Sequence, residues 1–189
     1  MANFVAVYDA CVLYPAPLRD LLMHLALSGL YRARWTARIH DEWMTALLRQ
    51  RPDLSREALE WTRGQMDDAV PDCLVCGYEG LEATLNLPDE NDRHVLAAAI
   101  HCGAGTIVTY NLKDFPDDLL APHGLAAQHP DQFIEHAYDL NPAAVCKAVR
   151  DQRASLRNPP RTVEELFDSY LQQGLATTVA ALRHDPELL

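Results

Sequence analysis

The chain has 189 residues, 49% of them hydrophobic and 23% charged, with a formal net charge of −11. That mix is ordinary for a globular protein and argues against disorder, and no apolar stretch approaches the roughly 20 residues that cross a bilayer. Five cysteines at irregular positions make a poor disulfide framework and point to reduced thiols.

The opening "MANFVAVYDA" lacks the basic start and long apolar core of a secretory signal, so the cytoplasm is the expected location. "NFVAVYDA" is a β-rich run that ends in Asp9, and "PLRDLLMHLALSGL" follows with helical spacing, Pro17 near its start and Gly29 near its end. "LYRARWT" reads as a weak strand or extended link. "ARIHDEWMTALLRQ" and "SREALEWTRGQMDDAV" read as helices, the second capped by Ser55. "CLVCGY" is the next strand candidate; its Cys73 and Cys76 form a CxxC without a second pair or nearby histidines to complete a zinc site, which leaves them as buried structural thiols. "ENDRHVLAAAIHCG" is a helix closed by Cys102 and Gly103, "TIVTYN" a strand and "GLAAQ" a short strand. Alternating strands and helices imply a parallel sheet covered on both faces, with ligand sites at the carboxyl ends of its strands.

Charge is unevenly distributed. Residues 1–63 carry 8 basic and 7 acidic side chains, residues 64–140 carry 2 and 14, and residues 141–189 carry 6 and 6. Arg32, Arg34 and Arg38 flank Trp35 in the first segment; they fit a polyanion contact and equally a solvated helix face.

Crowded acids repel one another unless a cation or a structural cap offsets the cost. Asp9 ends the first strand, Asp114 lies just beyond "TIVTY", Asp92 starts a helix and Glu42 sits within one. In a parallel sheet these acids can converge, and three or four carboxylates without basic partners form a hard oxygen site suited to Mg²⁺ or Mn²⁺. Each has a plainer reading: Asp92 or Asn91 as an N-cap, Asp114 as a turn former before Pro116, Glu42 as an exposed helical glutamate, and Asp89 after Pro88 as a turn residue.

The order of Asp9 in "VYDACVLYPAPLRDLL", Glu42 in "IHDEWMTALL", Asp92 in "DENDRHVLAAAI" and Asp114 in "TIVTYNLKDFP" resembles the PIN-domain family of metal-dependent ribonucleases, particularly the VapC-like toxins. "NPPRTVEELFDSYLQQGL" looks like the helical C-terminal extension of one bacterial subgroup of these proteins. The resemblance implies a three-layer α/β/α PIN-like catalytic domain with a central parallel sheet over residues 1–140, and a helical extension over 141–189. It implies Asp9, Glu42 and Asp92 as an acidic triad with Asp114 as a fourth member, Mg²⁺ or Mn²⁺ as cofactor, and endonucleolytic cleavage of RNA, with transfer RNA among the substrates. A cognate antitoxin and a homodimer are the partners it implies. Two departures stand out. Cys11 occupies a place where family members often carry a small polar residue, and Asn111 stands where some relatives carry an acid, which leaves the fourth position open between Asn111 and Asp114.

A divalent ion at these carboxylates would lower the pKa of a bound water and offset charge on the scissile phosphate. A housekeeping metal-dependent nuclease or phosphatase, and a catalytically silent PIN-like RNA-binding module, are the alternative readings. In the tail, Val163, Leu166, Phe167, Tyr170 and Leu171 share one helix face, and Thr162 and Glu165 stand in capping-box positions.

Overall fold

The computed structural model describes residues 4–185. In chain order the elements are β1 (Val5–Tyr8), α1 (Ala10–Leu13), α2 (Ala16–Ala26), β2 (Arg32–Arg34), α3 (Ala37–Gln50), α4 (Arg56–Ala69), α5 (Glu79–Glu82), α6 (Arg93–His101), β3 (Thr106–Val108), α7 (Asp117–Leu120), β4 (Ala126–Gln128), α8 (Pro130–Leu140), α9 (Pro142–Ser155), α10 (Val163–Gln172) and α11 (Ala176–Leu182). The architecture is the expected α/β/α one with a central parallel sheet and a C-terminal helical region. The four strands lie in the order β2-β1-β3-β4, all parallel. Because β1 is followed by β2 on one side and flanked by β3 on the other, strand order reverses at β1/β3, the place where such sheets open a crevice at their carboxyl ends.

Local chemistry explains the boundaries. Thr36 Oγ1 accepts the Ile39 N–H at 3.1 Å and starts α3, and Ser55 Oγ accepts the Ala58 N–H at 3.1 Å and starts α4. Gly103, at φ +65°, ends α6 in the left-handed region that a side chain would strain. "CLVCGY" is not a strand: it makes one isolated bridge, Trp35 to Leu74. It leaves the turn at Asp72, whose φ is +57°, and reaches Gly77 at φ +80°, so the pairing cannot propagate. Cys73 is buried as expected, whereas Cys76 is exposed, and all five cysteines are free.

The described residues form two compact units, residues 4–14 with 31–129 and residues 15–30 with 130–185. This grouping differs from a single boundary at residue 140, because α8 packs on α9 and α11, and α2 packs on α9.

In the first unit, β1 and β3 are buried along Ala6, Val7, Tyr8, Ile107 and Val108. Trp35 stacks on Tyr8 with ring centroids 6.0 Å apart. Burial of each such large side chain contributes about 1.5–3 kcal/mol. Trp35 Nε1 donates to Asp67 Oδ1 at 2.8 Å, His40 Nε2 lies 3.0 Å from the same oxygen, and Trp43 Nε1 donates to His40 Nδ1 at 3.0 Å. This network fixes the rotation of α3, and with it the direction of Glu42.

In the second unit, Leu18, Leu21, Leu22 and Leu25 of α2 are buried, as are Val145 and Val149 of α9. Gln152 Nε2 donates to the Pro17 carbonyl at 3.0 Å. Thr162 and Glu165 form the expected capping box at the start of α10, and its Leu166, Phe167 and Tyr170 are covered while Leu171 stays exposed. Among the described residues no helix is long and apolar enough to cross a membrane.

Candidate active site

The carboxyl ends of β1 and β3 meet at Asp9. Its backbone N–H donates to Val108 O at 3.1 Å, continuing the ladder one residue beyond the strand. Only 4% of the residue is exposed, and burial of a carboxylate is tolerated when its oxygens are satisfied. Oδ1 accepts the Ala10 N–H at 2.7 Å, so Asp9 caps α1; Oδ2 accepts from Thr109 Oγ1 at 2.7 Å and from Cys11 Sγ at 3.1 Å. Cys11 therefore supplies polar support to the Asp9 carboxylate. Its sulfur also accepts the Tyr110 N–H at 3.2 Å, and burial, then the charge of Asp9, pushes the thiol pKa upward, so the group stays protonated. Thr109 is a site residue that reading the sequence missed. Its one signal is position, the first residue after β3.

Asp92 stands at the start of α6 but makes no capping hydrogen bond, so the plain N-cap reading does not hold for it. Asp89 is the residue that caps, accepting the Asn91 N–H at 2.9 Å. The Asp92 carboxyl is pushed up to about 7, first by burial, then by the negative charges of Asp9, Asp89 and Asp114, with His94 pulling the other way. It is an acid held among acids.

Glu42 projects from α3. His94 Nε2 lies 2.9 Å from its Oε1 and Arg38 Nε lies 3.4 Å from the same oxygen. The imidazole is 1% exposed, and neither ring nitrogen makes a well-aligned hydrogen bond. The contact with Glu42 is thus close and electrostatic rather than a directed bond. Oε2 of Glu42 makes no hydrogen bond with a described residue.

Asp9, Glu42, Asp92 and Asn111 line one cleft of about 370 Å³, together with Cys11 and Tyr14. Asn111 is aligned by its own N–H, which donates to Thr109 Oγ1 at 3.0 Å. Asp114 is outside this lining; it sits in a 3-10 turn, its N–H on Asn111 O at 3.0 Å, and acts on the cleft through its charge at Asp92. Among the described residues no three His, Cys, Asp or Glu side chains stand close enough together to hold a metal ion as placed. The donor chemistry nevertheless fits a hard divalent cation: oxygen donors share the cleft, and the burial and neighbouring carboxylates that raise the Asp92 pKa are a cost that a bound cation would offset.

Two of the three arginines are on β2 and the third, Arg38, is in the first turn of α3. Arg32 pairs in register with Val5 at the start of β1, and Arg34 with Val7; at about 3.3 Å per residue Arg32 is some 13 Å upstream of Asp9 along the sheet. Arg38 is beside the acids and committed to them: besides Glu42, it donates to Glu82 Oε2 at 3.1 Å and to Asn91 O at 3.4 Å.

A family model described as PIN domain matches residues 5–113, and one described as VapC50 C-terminal domain matches residues 130–184. A protein of Mycobacterium tuberculosis named "Putative ribonuclease VapC50" is 41% identical over 97 residues, which cover 51% of this chain and 57% of that protein. The match thus spans a little over half the length of that relative. No solved structure matches the chain.

Proposed function

The chain belongs to the PIN-domain family, and from that membership and the cleft we propose that it is a metal-dependent endoribonuclease, the toxin of a toxin–antitoxin pair. It acts in the cytoplasm on RNA, with transfer RNA among its substrates, and assembles as a homodimer held inactive by a cognate antitoxin. The similarity to a protein whose name includes ribonuclease supports the activity. The observation that carries the proposal is Asp92: an acid on the cleft, free of any capping bond and raised in pKa first by burial and then by three other carboxylates, has a structural cost without a structural return.

Asp9, Asp92 and Glu42 would hold Mg²⁺ or Mn²⁺, with Asn111 or Asp114 as the fourth member. When bound, the cation lowers the pKa of water and offsets the charge that develops on the phosphate. The protein's own groups do the rest. Thr109 and Cys11 fix the Asp9 carboxylate through Oδ2. His94 and Arg38 approach Oε1 of Glu42, which leaves Oε2 to accept a proton from the attacking water. The water oxygen bonds to phosphorus as the bond to the 3′ oxygen breaks, and the departing 3′ oxygen takes a proton from solvent; the products are a 5′ phosphate and a 3′ hydroxyl. Asn111 offers a neutral amide on the cleft beside the anionic acids, where it can orient a phosphate oxygen.

Purified protein should cut total RNA into discrete fragments with Mn²⁺ or Mg²⁺ and not with chelator, and Asp92→Asn should abolish the pattern. Identical fragments from the variant would show that the acid cleft is not what cuts, and RNA binding without cleavage by either protein would give the reading to the silent RNA-binding module.

A further inference from the structure

A second cleft, of about 330 Å³, opens along the exposed face of α3 and is lined by Arg38, Asp41, Glu42, Thr45, Ala46 and Arg49. It shares Glu42 and Ala46 with the acid cleft, so the two form one groove. Their charges are committed differently. Arg38 is engaged by Glu42, Glu82 and the Asn91 carbonyl. Asp41 is offset by Arg56 at 3.5 Å and Arg63 at 3.9 Å. Arg49 makes no hydrogen bond or ion pair with any described residue. Its place is nonetheless set, because the next residue, Gln50, accepts a hydrogen bond from Tyr14 Oη at 2.7 Å, anchoring the last turn of α3 to the acid cleft.

From this we infer that Arg49 is a phosphate-binding subsite: it holds a backbone phosphate of the single strand one step along from the bond being cut, with the Thr45 hydroxyl beside it. The inference rests on the RNA-cleaving reading and names the residue that grips the substrate. Glu42 and Arg49 are two helical turns apart, about 10 Å along the axis, so a strand whose scissile phosphate is in the acid cleft passes the guanidinium with a neighbouring phosphate. A polyanion entering a cleft of carboxylates is repelled, and a planar, permanently charged donor at the groove's other end offsets that repulsion with charge-assisted hydrogen bonds.

The test is binding of a short fluorescent RNA of mixed sequence, in Mg²⁺, to protein carrying Asp92→Asn so that the strand stays intact, followed across a salt titration. Adding Arg49→Ala should weaken binding about three- to tenfold and reduce the slope of log K against log salt by about 0.7, the value for one phosphate contact on a single strand. Arg49→Lys should keep most of both. Arg51→Ala removes the same charge two residues away, from a guanidinium already seated on Asp53 at 2.8 and 2.7 Å, and should leave affinity and slope as they were. If Arg49→Ala matches the parent, or Arg51→Ala loses as much, Arg49 is no subsite, while metal-dependent cleavage by the wild type still upholds the nuclease. If the parent does not bind RNA and the wild type does not cut it, both ideas fall together.

Discussion

His94 Nε2 stands 2.9 Å from Glu42 Oε1, and this contact couples the helix that begins after Asp92 to the helix that carries Glu42. A buried imidazole without a well-aligned hydrogen bond is costly, so its retention against a cleft carboxylate points to a positioning role. His94→Leu should lower the initial rate of RNA cleavage about 10- to 100-fold, the usual effect of losing a supporting contact at such a site. His94→Gln keeps an N–H donor and should lose less. Equal rates for both variants and wild type would show that the contact does not position Glu42.

Asp92 makes stability depend on pH in an unusual direction. Its carboxyl is raised to about 7 in the folded protein and titrates near about 3.9 when unfolded. Between those values the folded state keeps a proton that the unfolded chain has released, so the cation-free protein loses stability as pH rises through this window. Asp92→Asn carries no such charge. In chelator at about pH 8 the variant should melt roughly 2–4 °C above wild type, corresponding to about 1 kcal/mol after solvent screening is allowed for. The gap should close near pH 4. A variant that melts lower than wild type at the higher pH would count against the repulsion.

Thr109 spans two tasks, donating to Asp9 Oδ2 at 2.7 Å and accepting the Asn111 N–H at 3.0 Å. Thr109→Val preserves the shape and removes the hydroxyl. It should cost about 1–3 kcal/mol in urea unfolding, because a buried carboxylate and an amide lose partners, and about tenfold or more in cleavage. Thr109→Ser should retain both properties; if it fails as badly as valine, packing of the methyl group is the important contribution.

Asp67 is the common acceptor for Trp35 and His40. Asp67→Ala leaves both donors facing an apolar interior, and guanidinium denaturation should show a loss of about 1–3 kcal/mol. Cleavage measured well below the transition should fall too, since the same network sets the direction of Glu42. An unchanged midpoint would mean that the network forms without contributing.

Most helices are legible in the sequence because their signals are local. The apolar spacing of α3, Ser55 ahead of α4, Gly103 after α6 and the Thr162–Glu165 pair each lie within a few residues of what they specify. "CLVCGY" misleads for the same reason: its composition suits a strand, but Asp72 and Gly77 take up left-handed conformations that confine it to one bridge. The acids on the cleft are legible as residue types, yet their supports are not. Thr109 meets Asp9 across a separation of 100 residues, and Arg38 finds Glu82 across 44; no local pattern encodes either.

The sheet order also governs when the candidate site can assemble. In chain order Asp9 precedes its partner Thr109 by 100 residues, and β1 cannot pair with β3 until residue 108 has emerged. A polypeptide halted after α6 holds Asp9, Glu42 and Asp92 without the strand that orders Asp9. Domains condense as units during synthesis, so competence arrives late and all at once. An interrupted translation product carries the acidic residues but not the assembled cleft.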